Sequence, residues 1–344
     1  MTAAFLCGCH PTYMGGAAMP PPPKPTVGSA TWVNGSVTWQ SVARDIQDVA
    51  VGENGLIVAG VHYGSSGVES TVIVSSDDGA TWDQVNVAGL VSGYYQFVGA
   101  AYGDGLFMVS DITAGRPVFT SPDGITWTEA GTLNSYGTEP VWFGGQNWVA
   151  IGANGGYASG QNNLSTNNGA SWTAVNPPSG YASNGSFGGV CYDGEQLIWL
   201  TNTSPSGTLG VGTSTDGEHW SITAFTHQGG QNMVAFGGGV YAAVGTSSVL
   251  VYAGDSPSAL AAATGTQPTG ATDLVGVAVT ADGRIVVIDT GGHAYNSLDL
   301  GETWYKDTTS WSAAGASRIA ANGTQVIATN VQTYPIVRPA TCGC

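Results

Sequence analysis

Four of the five cysteines form two Cys-Gly-Cys pairs near the chain ends, Cys7-Gly8-Cys9 and Cys342-Gly343-Cys344. A single intervening glycine suits a bond within each pair poorly, because a disulfide demands a particular Cα separation and torsion. The pattern suits disulfides between the two ends, within or between subunits. It equally suits a metal or iron–sulfur site, since each loop can donate two soft ligands. Unpaired thiols are the third reading. His10, beside Cys9, is a further ligand or a solvated side chain. Cys191 lies in an apolar strand pattern and reads as a small core residue. Among the acids, Asp45/Asp48 and Asp77/Asp78 are pairs of the kind that can cut a glycosidic bond. His10, His62, His219, His227 and His293 show no metal-ligand spacing. No serine nucleophile elbow, phosphate-binding glycine loop or H-E-x-x-H is present, and Gly237-Gly238-Gly239 reads as an inter-strand turn. The expectation is that no catalytic residues and no cofactor are to be assigned, with a metal or cluster at the Cys-Gly-Cys ends as the one exception.

A second set of residues repeats. Trp82 closes Ser75-Ser76-Asp77-Asp78-Gly79-Ala80-Thr81-Trp82, and Trp304 closes Ser297-Leu298-Asp299-Leu300-Gly301-Glu302-Thr303-Trp304. Trp172 closes the same spacing with Asn167 in place of Asp. Trp127 and Trp220 close a variant one residue shorter, around Asp123-Gly124 and Asp216-Gly217. The period is roughly 45 residues, which marks a repeat architecture with one supersecondary unit per repeat. An Asp or Asn side chain bonds backbone N–H groups two residues on, and Gly supplies a positive φ. The Thr or Ser before Trp opens the next strand, and the Trp belongs between neighbouring repeats.

These five copies resemble the Asp-box, or bacterial neuraminidase repeat, family, whose pattern is S-x-D-x-G-x-T-W. The resemblance spans roughly residues 30–340. It implies a β-propeller in which each box is a structural hairpin between the third and fourth strands of a blade. Asp77, Asp123, Asn167, Asp216 and Asp299 are then turn acceptors rather than catalysts. Sialidases share the repeat, and their chemistry needs three arginines, a Tyr with a Glu partner, and an acid/base Asp. This chain has five arginines, Arg44, Arg116, Arg284, Arg318 and Arg338, and lacks the R-I-P start motif; Val337-Arg338-Pro339 lies at the wrong end. Arg116 and Arg284 fall at turn edges. The sialidase set is therefore not expected.

The elements that carry these residues read as strand, turn, strand, loop, strand, box, strand. The units cover roughly 45–88, 94–133, 136–178, 186–226, 229–266 and 271–309; the fifth keeps its inner strands but lacks box and Trp. The last unit has strands at Ser317–Ala321, Gln325–Asn330 and Tyr334–Val337 and then stops. Residues 31–42 carry Asn34-Gly35 and end in Thr38-Trp39-Gln40-Ser41-Val42, like a worn box in register with Trp82. They are expected to complete the last unit as its fourth strand, removing an open edge. Counting Trp39, Trp82, Trp127, Trp172, Trp220, an absent one near 264, and Trp304 gives the expected fold: an all-β, seven-bladed β-propeller of four-stranded antiparallel blades. Residues 1–28 are a Cys- and Pro-containing leader, 29–340 the propeller, and 341–344 a Cys-Gly-Cys tail. The run Pro20-Pro21-Pro22-Pro23-Lys24-Pro25 reads as a stiff spacer.

Composition narrows the function. The chain has 53 Gly and only 9% charged residues, which suits short strands and tight turns. A net charge of −16, with 7 Lys+Arg, argues against nucleic acid and anionic membranes as partners. No run approaches a membrane span. The first ten residues lack Lys and Arg and match a signal peptide poorly. Tyr63, Tyr94, Tyr136, Tyr181 and Trp311 fall in loops and either stack on sugars or pack between blades. The leading expectation is a non-enzymatic bacteriophage virion protein: a tail-fibre or tail-tip receptor-binding module, or a capsid decoration, contacting host glycans. It would dock other virion proteins through residues 1–28 in a homo-oligomeric or multi-copy assembly. The alternatives are a sialidase-like carbohydrate-active hydrolase or lectin, located extracellularly, and an assembly scaffold.

Overall fold

The structure, a computed structural model, describes residues 29–38, 45–52, 56–62, 71–87, 97–111, 116–134, 137–152, 161–176, 189–203, 208–225, 233–245, 248–263, 265–308, 316–323, 325–330 and 336–338. Two short strands come first, β1 (Val33–Asn34) and β2 (Ser36–Thr38). Four-stranded units follow. The first is β3 (Asp45–Val51), β4 (Ile57–His62), β5 (Thr71–Ser75) and β6 (Thr81–Asn86). The second is β7 (Phe97–Gly103), β8 (Leu106–Asp111), β9 (Pro117–Ser121) and β10 (Thr128–Thr132). The third is β11 (Gly137–Trp142), β12 (Trp148–Gly152), β13 (Asn162–Ser165) and β14 (Thr173–Val175). The fourth is β15 (Val190–Tyr192), β16 (Leu197–Thr203), β17 (Thr208–Ser214) and β18 (Ser221–Phe225). The fifth has three strands, β19 (Met233–Gly237), β20 (Val240–Gly245) and β21 (Ser248–Ala253), then a 3-10 helix, Pro257–Ala262. The sixth is β22 (Leu274–Val279), β23 (Ile285–Asp289), β24 (Ala294–Ser297) and β25 (Tyr305–Lys306). The last is β26 (Ala316–Asn322), β27 (Gln325–Asn330) and β28 (Ile336–Arg338).

Within each unit successive strands pair antiparallel, and the described residues form seven sheets. The architecture is a β-propeller with four-stranded antiparallel blades. Sequence explains the units locally. Asp104-Gly105 joins β7 to β8 with φ of 52° and 72°, the left-handed pair that a two-residue hairpin requires. Central strands such as β23 are apolar and buried on both faces, because both are covered by neighbouring sheets. The innermost strands β3, β7, β11, β15, β19, β22 and β26 touch one another in that order, and β26 touches β3. The core is divided among the clefts between adjacent sheets. One cluster joins Val58 and Val74 to Phe107 and Phe119; another joins Ile46 and Ile57 to Ile327.

The N-terminal segment departs from the single strand expected over 31–42. Val33 and Asn34 pair antiparallel with Val337 and Ile336. Ser36–Thr38 instead pairs parallel with Thr81–Asp83, on the outer edge of the first unit's sheet. Gly35 makes the crossing. A Cβ there would lie 2.7 Å from both the Gly79 carbonyl oxygen and Trp82 Nε1, so only glycine lets the chain pass so close. Trp39, expected as a worn-box residue, lies outside the described residues.

Candidate functional site

The repeated turns share one hydrogen-bond scheme. Ser75 Oγ donates to Asp77 Oδ1 at 2.8 Å and accepts the Gly79 N–H at 2.9 Å. Asp77 Oδ1 accepts the Thr81 N–H at 2.8 Å, and Oδ2 accepts the Thr81 hydroxyl at 2.6 Å. The shorter turns shift this by one residue: Asp123 Oδ1 accepts the N–H groups of Ile125 and Thr126 at 2.9 and 2.7 Å. In the third unit Asn167 Oδ1 accepts the Ser171 N–H at 2.9 Å while its amide donates to Ser171 Oγ at 2.8 Å. The longer turns place two residues in the left-handed region, Asp78 and Gly79 for instance; the shorter ones place only the glycine there.

Electrostatics follow from these bonds. The Thr126 N–H beside Asp123 holds its carboxyl below the usual range, helped by Ile125 and Ser121. At Asp77, Asp216 and Asp299, partial desolvation pushes upward, but hydrogen bonds to backbone and side-chain donors outweigh it and the acids are lowered. His219 Nδ1 donates to Asp216 Oδ2 at 2.8 Å, and this bond raises the imidazole's pKa. These carboxylates are turn acceptors.

The tryptophans that close the turns lie between sheets. Trp82 Nε1 donates to the Gly79 carbonyl, Trp127 Nε1 to that of Gly124 and Trp220 Nε1 to that of Gly217, at 2.8, 2.8 and 3.0 Å. Trp304 differs: its Nε1 donates to Thr266 of the preceding unit at 2.6 Å. Trp127 packs with Val58 and Val74 of the first sheet, and Trp172 with Met108 and Val118 of the second. The last sheet receives Trp32 in this role. Trp32 is buried against Ala278, Val286 and Val326, and its Nε1 donates to Asp307 Oδ2 at 3.1 Å. Between the fourth and fifth sheets, where no Trp exists, Leu260 of the 3-10 helix fills the cleft against Ile198 and Val211.

The innermost strands surround a cavity of about 320 Å³. All seven sheets line it, mostly with apolar side chains, among them Tyr102, Trp142, Met233 and Phe236. Asp48, Cys191 and Arg318 are the groups there that could do chemistry. Asp48 Oδ1 accepts the Val49 N–H at 2.9 Å, and Oδ2 accepts the Ala100 N–H at 2.8 Å. This acid therefore ties β3 to β7 rather than standing ready as a base. Burial, helped by Asp193, pushes the Cys191 thiol far up, which leaves it a poor nucleophile. Cys191 is half-buried, packed against the core cluster that holds Ile198 and Leu260, and also borders the cavity. The arrangement suits holding a largely apolar group and is not a pair of acids poised for proton transfer.

Other expected candidates are dispersed. Arg284 is not at an open turn edge; it is buried at 3% exposure, with Nη1 donating to Asn296 Oδ1 at 2.9 Å. Arg116 Nε donates to the Leu133 carbonyl at 3.1 Å. His293 Nδ1 lies 3.0 Å from Oδ2 of buried Asp289. Cys7, Cys9, Cys342, Cys344, His10, His227, Arg44, Tyr63, Tyr94, Tyr136, Tyr181 and Trp311 lie outside the described residues. So do residues 1–28, and of Asp45, His62 and Arg338 only the backbone is described. Among the described residues no group of three or more His, Cys, Asp or Glu could hold a metal, and no helix is long and apolar enough to cross a membrane. The residue that sequence reasoning missed is Asp307, whose contacts come from residues remote in the chain.

No family model and no curated protein matches the chain. Solved structures do. YCF48 bound to D1 peptide superposes with a TM-score of 0.67 at 14% identity, covering 94% of this chain and 99% of that one. YCF48 from Cyanidioschyzon merolae gives 0.66 at 16% identity, covering 90% and 99%. Virginiamycin B lyase from Staphylococcus aureus gives 0.53 at 12% identity, covering 68% and 77%. At these identities the likeness is one of fold, and that fold is the β-propeller.

Proposed function

We propose that this chain is a non-enzymatic binding propeller: seven blades in one closed ring, five of them carrying an Asp box, serving as a multi-copy structural protein of a bacteriophage virion that holds a partner protein. The observation that carries the binding reading is the state of the acids. Asp48, Asp77, Asp123, Asp216 and Asp299 all accept backbone N–H groups, so each fixes the fold. Support for the ring is the unbroken order of inner-strand contacts, with β26 against β3, together with β1 against β28. Support for a protein partner is the YCF48 propeller that carries a D1 peptide. Support for the virion setting is compositional: an acidic, Lys-poor chain behind a Cys- and Pro-bearing leader.

Two measurements test this. Incubation with a sialoside and a polysaccharide panel should release no sugar; turnover that disappears in Arg318→Ala would make the chain a hydrolase. Phage particles purified from a culture producing this chain should contain it in many copies, by quantitative mass spectrometry. Its absence from the particles removes the virion reading and leaves the partner-binding one to be tested separately.

A further inference from the structure

The segment from Ala30 to Thr38 is held as a bound peptide would be, across three sheets. At its start it docks on the sixth unit. Thr308 N–H donates to the Ala30 carbonyl at 2.8 Å, and Trp32 N–H donates to the Thr308 carbonyl at 2.9 Å. Asp307, itself buried, accepts the Ala30 N–H at 2.7 Å and Trp32 Nε1 at 3.1 Å. Asn296 donates to Asp307 Oδ1 at 2.8 Å, and Arg284 donates to Asn296 in turn. The middle of the segment pairs with β28. Its end pairs with β6, and Ser36 N–H donates to the Ala80 carbonyl at 2.9 Å. Buried Trp32 is the anchor, and the ladders on either side fix the register.

We propose that this segment is an exchangeable clasp: the groove that holds residues 30–38 accepts the same segment from a second copy of this chain. The argument is the tether. Thr38 lies on the outermost strand of its sheet and Asp45 on the innermost, in the order β2-β6-β5-β4-β3. Four strand spacings, roughly 19 Å, separate the two strands, and the register sets Thr38 level with Val58 but Asp45 level with His62, roughly 13 Å further along, so the gap is about 23 Å. Only residues 39–44 lie between, and a chain of that length reaches at most roughly 25 Å. A short link between a docked strand and its own body invites docking in a neighbour, where every contact is reproduced. The occupant is fixed by what the groove recognises: a Trp indole over an Asp–Asn–Arg network, then Gly at the crossing. The inference rests on the ring reading above, because exchange joins one ring to the next.

The register gives a direct test. Cysteines introduced as Val33→Cys and Val337→Cys, opposite one another in an antiparallel pair, meet the separation a disulfide needs. The terminal cysteines 7, 9, 342 and 344 are changed to Ser in this background. The protein is refolded from denaturant over a range of concentrations, oxidised, and run on non-reducing electrophoresis. Inter-chain cross-links should rise roughly in step with protein concentration, as mass action requires. Deleting two residues between Thr38 and Asp45 should make them dominant, and inserting a Gly-Ser stretch there should convert them to intra-chain links. Intra-chain links alone, at every concentration and in the deletion variant, overturn the exchange while leaving the ring intact. No cross-link of either kind removes the ring closure and the exchange together.

Discussion

Asn167 shows what the repeated acid does, since the third turn keeps its bonds with an amide in place of a carboxylate. Acceptance of the backbone N–H is the requirement, and charge is not. Asp77→Asn should therefore leave the melting temperature nearly unchanged, whereas Asp123→Ala should cost about 1 kcal/mol, the net worth of a hydrogen bond in a solvated turn. Equal losses in the two variants would contradict this. Acid dependence follows from the same bonds. Asp77, Asp123, Asp216 and Asp299 are lowered in the folded state. Their stabilisation is full above the ordinary carboxylate value of about 3.9 and is lost as pH falls through the folded values. Thermal unfolding between neutral pH and about pH 2 should show a loss confined to the acid end, smaller in Asp77→Asn. The tryptophans should separate by burial. Trp127→Ala should cost roughly 3–5 kcal/mol, the usual loss for a buried large aromatic. Trp304, half-buried, should cost less, and a larger loss there would count against the cleft-filling account.

Single elements carry the crossings between sheets, and Gly35 is the sharpest case. A methyl group there would press on the Gly79 carbonyl, a backbone atom that cannot swing aside. Gly35→Ala should cost roughly 1–3 kcal/mol by overpacking, read as a drop in melting temperature. An unchanged melting temperature would place the crossing elsewhere. The turns, their acceptors and the strand–turn–strand order of each unit were legible because each is local: Ser, Asp, Gly and Trp at fixed spacing determine their own geometry. The N-terminal segment was not. Trp32 and Trp39 flank the same Asn34-Gly35 step, and periodicity favours Trp39. Trp32 takes the cleft because Asp307 lies there to accept its N–H, a partner 275 residues away that no spacing rule connects to it. The same limit hid Leu260: a 3-10 helix can fill a cleft that lacks its Trp, but nothing periodic announces it. The channel lining was half legible. Apolar inner strands could be read, but the convergence of Asp48, Cys191 and Arg318 depends on how the sheets are arranged about it.

At the scale of the whole molecule the two chain ends come under one constraint. Val33 pairs with Val337 and Asn34 with Ile336, antiparallel. Moving toward the N-terminus from Val33 and toward the C-terminus from Val337 therefore leads off the same end of that sheet. The direction is set by the pairing alone; Cys7-Gly8-Cys9 and Cys342-Gly343-Cys344 themselves lie outside the described residues. Cross-links between the ends would then bolt shut the pairing of β1 with β28, closing a loop that includes almost the whole chain. In the chain-entropy view such a bond stabilises by about 2–4 kcal/mol, acting through the unfolded state. A reducing agent should accordingly lower the melting temperature of the oxidised protein, and the Ser variants at 7, 9, 342 and 344 should lose that response. Non-reducing electrophoresis assigns the bonds: a reducible band at higher mass places them between subunits, and a faster monomer band places them within one. Visible absorption with stoichiometric iron, or bound zinc released by thiol-blocking reagents, replaces the disulfide reading with a four-thiolate site. Four titratable thiols with no metal, and a melting temperature indifferent to reductant, would show that the two ends are not joined.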